Sequence, residues 1–381
     1  MKRILAKLGN LKFTCTLLIL AMGLVFFSTL QQVDWGIHEV QQRYFARWIA
    51  WMPVPGFPGF SFPILGGYGL GALFLLNLCA GLPRVFGRHK LGLMAIHLGL
   101  LVLIISGFVS AYYQEESQMW IPLNEKRFSS ESTYDNEYAL LDITDPHEAI
   151  VYALPVEALV LGQTFSDPSL PFSFKLKALY PNAAIAPRQS FNVELPQMAT
   201  QGAGAKMDLR AQPIPLTFQE NERNAVTAYL EIFTGEVSLG TWLLSNLIDE
   251  RFPPQRFTHE GRMYEVALRF KKFYLPFALK LEKFTHEVYP GTEIPKHFES
   301  VLWLEEGANQ GRRVEISMNQ PLRHQGYTFY QASFAAQGEA TMLQVVKNPG
   351  WLGPYIGVIA IALGLVWHFM VRLRRHTSSL K

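Results

Sequence analysis

Cysteine is nearly missing from this sequence. Its 381 residues contain two, Cys15 and Cys79, and none follows Cys79. The chain therefore has neither a CxxC redox pair nor a CxxCH site for covalent haem attachment, which excludes a thioredoxin and a c-type cytochrome. Charge is scarce as well. Only 17% of the side chains are charged, the formal net charge is +3, and the Lys and Arg residues gather at a few junctions instead of forming a stripe. Nucleic acid is thereby a poor partner. Internal repeats, P-loop, GxGxxG, GxSxG, HExxH and kinase-type motifs are all absent, so soluble-enzyme chemistry has no motif to stand on.

What the chain has is apolar length. Hydrophobic residues make up 49% of it, and four runs approach or exceed the roughly 18 to 20 residues a helix needs to cross a ~30 Å hydrocarbon core. They are residues 13–30, 62–82, 91–112 and 351–371. The first follows Lys2, Arg3, Lys7 and Lys12 but ends in Phe26-Phe27-Ser28-Thr29-Leu30 without a small-x-small cleavage pattern, so a retained helix is expected. Arg84, Arg88 and Lys90 follow the second run, and Arg372, Arg374, Arg375 and Lys381 follow the fourth. The positive-inside bias puts all these basic residues, and both termini, in the cytoplasm. The expected domains are a membrane region over 1–112, an extracytoplasmic domain over 113–350, a fourth span over 351–371 and a cytoplasmic tail over 372–381. The expected location is a bacterial inner membrane, with the large domain periplasmic. Cys15 and Cys79 then sit near the reducing side, and small apolar packing residues are the expectation there.

The loop over 31–61 has an amphipathic stretch over 38–51 and tryptophans at 35, 48 and 51. An ordered connecting loop with aromatic anchors is preferred to an interfacial helix. Gly66, Gly67, Gly69 and Gly71 offer a face small enough for a partner helix. Beyond the third run the period changes to two. Phe172, Phe174 and Leu176 alternate with Ser173, Lys175 and Lys177, and the same holds over 264–270 and 277–281. Further strands are expected over 138–143, 228–233, 298–304, 313–318 and 327–334. The fold class that follows is four transmembrane α-helices plus a large extracytoplasmic mainly-β domain, an antiparallel sandwich or barrel-like. Residues 181–215, rich in Ala, Pro, Gln and Gly without a period, read as a mobile loop.

Of ten histidines, His97 and His368 fall inside the runs. His97 lies about 9 Å along its helix from the cytoplasmic end, too deep for a short side chain to snorkel. An ionisable residue there costs a few kcal/mol unless partnered, which makes it a functional candidate. An imidazole hydrogen-bonded to a neighbouring helix accounts for it equally well. If it is a ligand, haem iron suits one neutral imidazole among apolar side chains better than zinc, which wants several clustered ligands. The opposite ligand must come from another helix. His368, about two residues from the cytoplasmic edge, reads first as interfacial, and His38, in the outer loop, as solvated; both are secondary candidates. His147, His259, His286, His297 and His324 show no ligand spacing and read as surface residues.

Several strings resemble the ResB-like family of cytochrome c biogenesis proteins, the haem-delivery component of System II, and the similarity runs along nearly the whole chain. They are Asn77-Leu78, then Gly92 with Ile96-His97-Leu98-Gly99, and Tyr289-Pro290-Gly291-Thr292 with Pro295 and Phe298-Glu299-Ser300. Most specific is Asn319, Pro321-Leu322 and Gly326-Tyr327-Thr328-Phe329-Tyr330-Gln331, close to the family's run before its last span. Read physically, Asn-Gln-Pro and His-Gln-Gly are turn formers flanking an aromatic strand, as in any core hairpin.

The resemblance implies a haem-handling subunit of a System II cytochrome c synthase complex, which helps move haem across the membrane and deliver it to apocytochrome c. It would be a non-catalytic or co-catalytic subunit of that haem lyase. It implies transiently bound haem b with His97 as an axial ligand, and a tryptophan-rich CcsA/ResC-type membrane partner. Apocytochrome c, a thioredoxin-like thiol reductant and membrane lipid complete the expected partners. A membrane b-type cytochrome passing electrons, and a structural assembly factor for an exported redox enzyme, are the alternatives. The first needs paired intramembrane histidines in one bundle.

Overall fold

The computed structural model describes residues 7–54, 56–57, 59–87, 90–146, 148–218, 223–251, 254–292, 295–307, 310–334 and 339–379. Lys2, Arg3, Arg88, His147 and Lys381, used above, lie outside them. The chain forms two compact units: Met1–Glu115 with His324–Tyr327 and Val346–Lys381, and Glu116–Arg323 with Thr328–Val345.

In the first unit, α1 spans Leu11–Val40, capped by the Asn10 side chain, which accepts the Lys12 N–H at 3.2 Å. The helix runs ten residues beyond Leu30, the expected end, because Gln31, Gln32 and Asp34 are polar without being helix breakers. Its break comes at Gly36, at φ 67 and ψ 167, a conformation open to glycine. A π-helical turn, Gln41–Phe45, follows. Glu39 pairs with Arg43 at 2.6 Å, and the Arg43 guanidinium lies 3.7 Å over the Trp35 ring.

The next segment is neither plain loop nor interfacial helix. It is a β-hairpin, β1 (Ile49–Pro53) and β2 (Ser61–Leu65), paired from Ile49↔Leu65 to Pro53↔Ser61. The period of two explains it: Ala50 and Met52 turn inward, 1% and 6% exposed, against Val40, Tyr44 and Leu70, while Ile49 and Trp51 face out. Helix α2 then starts at Gly67 and ends at Val85, so the residues over 62–65 expected in the second span are strand. Gly66 and Gly67 lie against the end of the π-helical turn and the residues after it: a Cβ there would run into the carbonyls of Tyr44, Phe45 and Arg47, and one on Gly69 into that of Trp48, which fixes the hairpin's base to α2, while Gly71 meets Phe108 of the third long helix.

Helices α3 (Leu91–Tyr113) and α4 (Gly353–Ser379) complete the unit. Among the described residues, four helices are thus long and apolar enough to cross a membrane. Small residues spaced by seven, Gly92, Gly99 and Ser106 on α3, meet Gly364, Gly357 and Gly353 on α4. A Cβ on Gly92 would lie 2.6 Å from the Gly364 carbonyl oxygen, so the helices touch backbone to backbone. Cys15 and Cys79 are exposed on α1 and α2 and do not pack inside the bundle.

The second unit is mainly β, with every named pairing antiparallel. Its strands are β3 (Glu115–Pro122), β4 (Lys126–Asp142), β5 (Ile150–Pro155), β6 (Thr164–Phe165), β7 (Ser173–Tyr180), β8 (Ala183–Pro187), β9 (Leu209–Pro213), β10 (Thr227–Thr234), β11 (Val237–Ser245), β12 (Gln255–His259), β13 (Arg262–Val288), β14 (Pro295–Glu306), β15 (Gln310–Ser317), β16 (Leu322–His324), β17 (Tyr327–Phe334) and β18 (Ala340–Lys347). A four-stranded sheet runs β11-β10-β7-β6, and a ten-stranded one runs β15-β14-β13-β4-β3-β18-β17-β16 with β5 on β4 and β12 on β13.

The main core lies between them. Phe174 and Leu176 of β7, Leu230 and Ile232 of β10 and Trp242 of β11 pack on Tyr138 and Leu140 of β4 and Val266 and Leu268 of β13. The other face of β10 and β11 is covered by residues over 181–215. They form no mobile loop: β8 pairs β9, a short helix spans Gly202–Lys206, and Ala183, Ala199, Leu209 and Ala211 bury against Tyr229, Leu243 and Ile248. Small side chains make this contact. A Cβ on Gly204 would come 2.7 Å from those of Ala199 and Leu243.

The strands expected over 264–270 and 277–281 are one continuous β13 of 27 residues, whose register on β4 slips between Phe270 and Lys272 and again between Tyr274 and Leu279. Bulges bend a strand without ending it. The larger sheet curls until β14 faces β17 and β18, where Phe329 packs on Phe277 with centroids 5.9 Å apart and the Ser300 hydroxyl donates to Gln331 Oε1 at 2.6 Å.

Candidate functional site

His97 stands on α3, a helix with no charged residue between Leu91 and Tyr113. The ring is half-buried, and its Nδ1 lies 2.9 Å from the carbonyl oxygen of Leu93, one turn back. A carbonyl only accepts, so in the neutral ring Nδ1 carries the proton and Nε2 keeps its lone pair. Among the described residues none hydrogen-bonds Nε2. A hydrogen bond of this kind fixes the tautomer and orientation of an imidazole that serves as a ligand.

The helical period puts His97 on the same side of α3 as buried Leu101 and as Phe108, which meets Gly71 of α2. The seam with α4 is elsewhere: five residues at ~100° each turn His97 about 140° away from Gly92. His368 belongs to that seam. A Cβ on Gly92 would lie 2.8 Å from the His368 backbone nitrogen and 2.9 Å from its Cβ. His97 and His368 therefore lie on different sides of α3 and do not converge. His38 follows the Gly36 break in the last turn of α1 and is half-buried.

A haem iron fits His97 by the chemistry of the donor: a neutral nitrogen with a free lone pair, pre-oriented, in a segment without charge. Among the described residues no three of His, Cys, Asp and Glu gather to hold a metal ion. The histidines of the second unit have other surroundings. His259 packs edge-on against Phe172, centroids 5.4 Å apart, His286 lies against Phe334 at 4.5 Å, and His297 Nε2 is 3.4 Å from Glu299.

The run that carries the family resemblance is built for shape. Asn319 has φ 62, and Gln325 and Gly326 have φ 47 and 82, the left-handed pair of a tight hairpin turn between β16 and β17. Phe329 is fully buried at 0% exposure, Tyr330 is exposed, and the Lys347 ammonium lies 5.4 Å over the Tyr327 ring. Gln331 ties β17 to β14 and β18: besides accepting from Ser300, its Nε2 donates to Thr341 Oγ1 at 2.9 Å. Pro321 separates β15 from β16.

Sequence reading missed a cleft of 560 Å³ on the larger sheet, lined by Trp120, Arg127, Phe128, Arg223, Phe270 and Lys272 among others. It opens where β13 slips against β4, and strands far apart in sequence line it, so no local signal marks it. Its cations are already engaged: Arg127 with Glu125 at 2.7 Å, Lys272 with Glu131 at 3.4 Å, and Arg223 over Phe270 at 5.2 Å. At the far end of the same strand pair, the Thr144 hydroxyl donates to Asp142, helped by the Thr144 N–H and Arg262. These hold the Asp142 carboxyl below the usual carboxylate range against the opposing effect of burial.

Two comparisons with known proteins match parts of this chain. Residues 252–342 match the model of the ResB-like family. Protein NrfI of Wolinella succinogenes is 33% identical over 97 residues, 25% of this chain, and the match covers 11% of NrfI's own length.

Proposed function

We propose, for a chain whose residues 252–342 are ResB-like, that it is a haem-handling subunit of a System II cytochrome c synthase complex. In this reading it sits in a bacterial inner membrane with both termini in the cytoplasm and its β unit in the periplasm. It helps carry haem across the membrane and present it for attachment to apocytochrome c, whose thiols a thioredoxin-like reductant keeps free. The observation that carries the reading is the His97 imidazole: Nδ1 is committed to the Leu93 carbonyl at 2.9 Å, and Nε2 has its lone pair available inside an uncharged helix. Haem b, when bound, supplies the iron and the vinyl groups that thiols add to. His97 Nε2 would hold the iron, its ring kept in place by the backbone bond, and the apolar side chains of α3 would exclude water from that side.

A second ligand would come, as the resemblance implies, from a CcsA/ResC-type membrane partner; His368 lies toward α4, on the other side of α3. The same separation speaks against a b-type cytochrome, which needs two facing histidines. The test is the absorbance of the protein purified with its membrane partner, together with the yield of c-type cytochromes. His97→Ala is expected to abolish the haem bands and sharply lower the yield. Unchanged bands and yield would remove the assignment, and lost assembly with no haem in the wild-type complex would favour a structural assembly factor.

A further inference from the structure

The hairpin between α1 and α2 presents an apolar side that nothing among the described residues of its own unit covers. On the strand face turned away from Ala50 and Met52, Ile49, Trp51 and Leu65 are 58%, 62% and 37% exposed, and Trp48, Phe57 and Phe60, before and between the strands, are 56%, 68% and 65% exposed. No charged residue occurs from Trp48 to Pro83. So many exposed large apolar side chains on one short loop mark an interaction site.

Chain continuity says what lies there. α2 has 19 residues, which at ~1.5 Å each give a rod of roughly 28 Å, barely the ~30 Å of the hydrocarbon. A helix so short spans only if its first residue, Gly67, stands at the hydrocarbon boundary. The hairpin is held to that point. The Gly66 N–H donates to the Trp48 carbonyl at 3.1 Å and the Tyr68 N–H to the Arg47 carbonyl at 3.2 Å, while Gly69 leaves room for the Trp48 carbonyl, 2.5 Å from where its Cβ would be. It cannot swing away from the level at which α2 begins. Nor does it suit the hydrocarbon itself: among the described residues the two strands pair only with each other, and their outer backbone groups need water or headgroups. Trp and Phe in a frame with polar backbone edges suit the headgroup layer, where indole rings concentrate.

We propose that residues 49–65 lie in the headgroup layer, with the outward aromatic face turned to lipid and the Ala50 and Met52 face holding the helices. The hairpin is then a fixed depth gauge beside the first two spans.

The test uses the full chain in phosphatidylcholine–phosphatidylglycerol liposomes, with Cys15→Ser and Cys79→Ser as background and NBD attached at Phe60→Cys or Trp51→Cys. Lipids carrying a nitroxide near the carboxyl end of the acyl chain are expected to quench roughly twice as well as those carrying it near the methyl end. Aqueous iodide should quench little. Val237→Cys, an exposed position in the β unit, is the water-facing control and should respond to iodide alone. Iodide quenching at Phe60 equal to that control would overturn the proposal. So would stronger quenching from the methyl end, or protection from every quencher, which would mean that protein covers the face. If Phe60→Cys does not fold, Phe57→Cys is read in the same way.

Discussion

Gly99 of α3 faces the backbone of Gly357 on α4: a methyl on Gly99 would stand 2.7 Å from the Gly357 carbonyl oxygen. Gly107, on the same helix, has nothing within 4 Å of its missing Cβ. Gly99→Ala is therefore expected to cost about 1–3 kcal/mol by forcing the helices apart, and Gly107→Ala nothing. Thermal unfolding of the two variants in detergent checks the pair, and equal midpoints would refute the seam.

The histidines separate in a similar way. Under the proposed role, His368→Ala leaves the haem spectrum of the partner complex intact, because its Cβ is turned to Gly92 and away from the His97 side. Loss of the bands in both variants would mean that the two imidazoles share one site.

Phe329 and Tyr330 are neighbours in β17 with opposite fates, 0% and 39% exposed. Phe329→Ala is expected to destabilise the β unit by about 3–5 kcal/mol. Tyr330→Ala should stay within about 0.5 kcal/mol, as surface changes do. Denaturant midpoints followed by tryptophan emission compare them, and a large loss at Tyr330 alone would reverse the side-chain assignment.

Asp142 gives the β unit an acid-sensitive element. Its folded carboxyl titrates below its unfolded value, chiefly through the Thr144 hydroxyl. The stabilisation is complete above the unfolded value, near pH 4, and is lost as pH falls through the folded one. Thr144→Val removes the donor, so the variant should be less stable at neutral pH and lose less on acidification. Unfolding midpoints from pH 7 down to pH 3 measure this, and parallel curves for variant and parent would rule it out.

The features legible in sequence were those written in a single period. Apolar runs long enough to span gave four helices, and alternation gave β7 and two stretches of β13. His97 stood out because a lone polar residue in an uncharged helix is conspicuous. What stayed hidden depends on residues that carry no period. Ala183, Ala199 and Gly204 pack the segment over 181–215 by being small, and smallness looks the same in a loop. Gly92 and Gly99 acquire meaning only beside Gly364 and Gly357, more than 250 residues later. The glycines that did attract notice divide: Gly66 and Gly67 abut the π-helical turn, Gly69 the carbonyl of Trp48 at the base of the hairpin, and Gly71 meets Phe108 of α3. Whether Nε2 of His97 is free was beyond any sequence argument, since it turns on a rotamer.

The glycine seam also restricts traffic. Two helices whose main chains touch at every second turn leave no slot at those levels, and no side chain there can swing aside as a gate. Under the proposed role, a macrocycle held at His97 therefore lies on the side of α3 that carries Leu101 and Phe108 and looks toward α2, and not between α3 and α4.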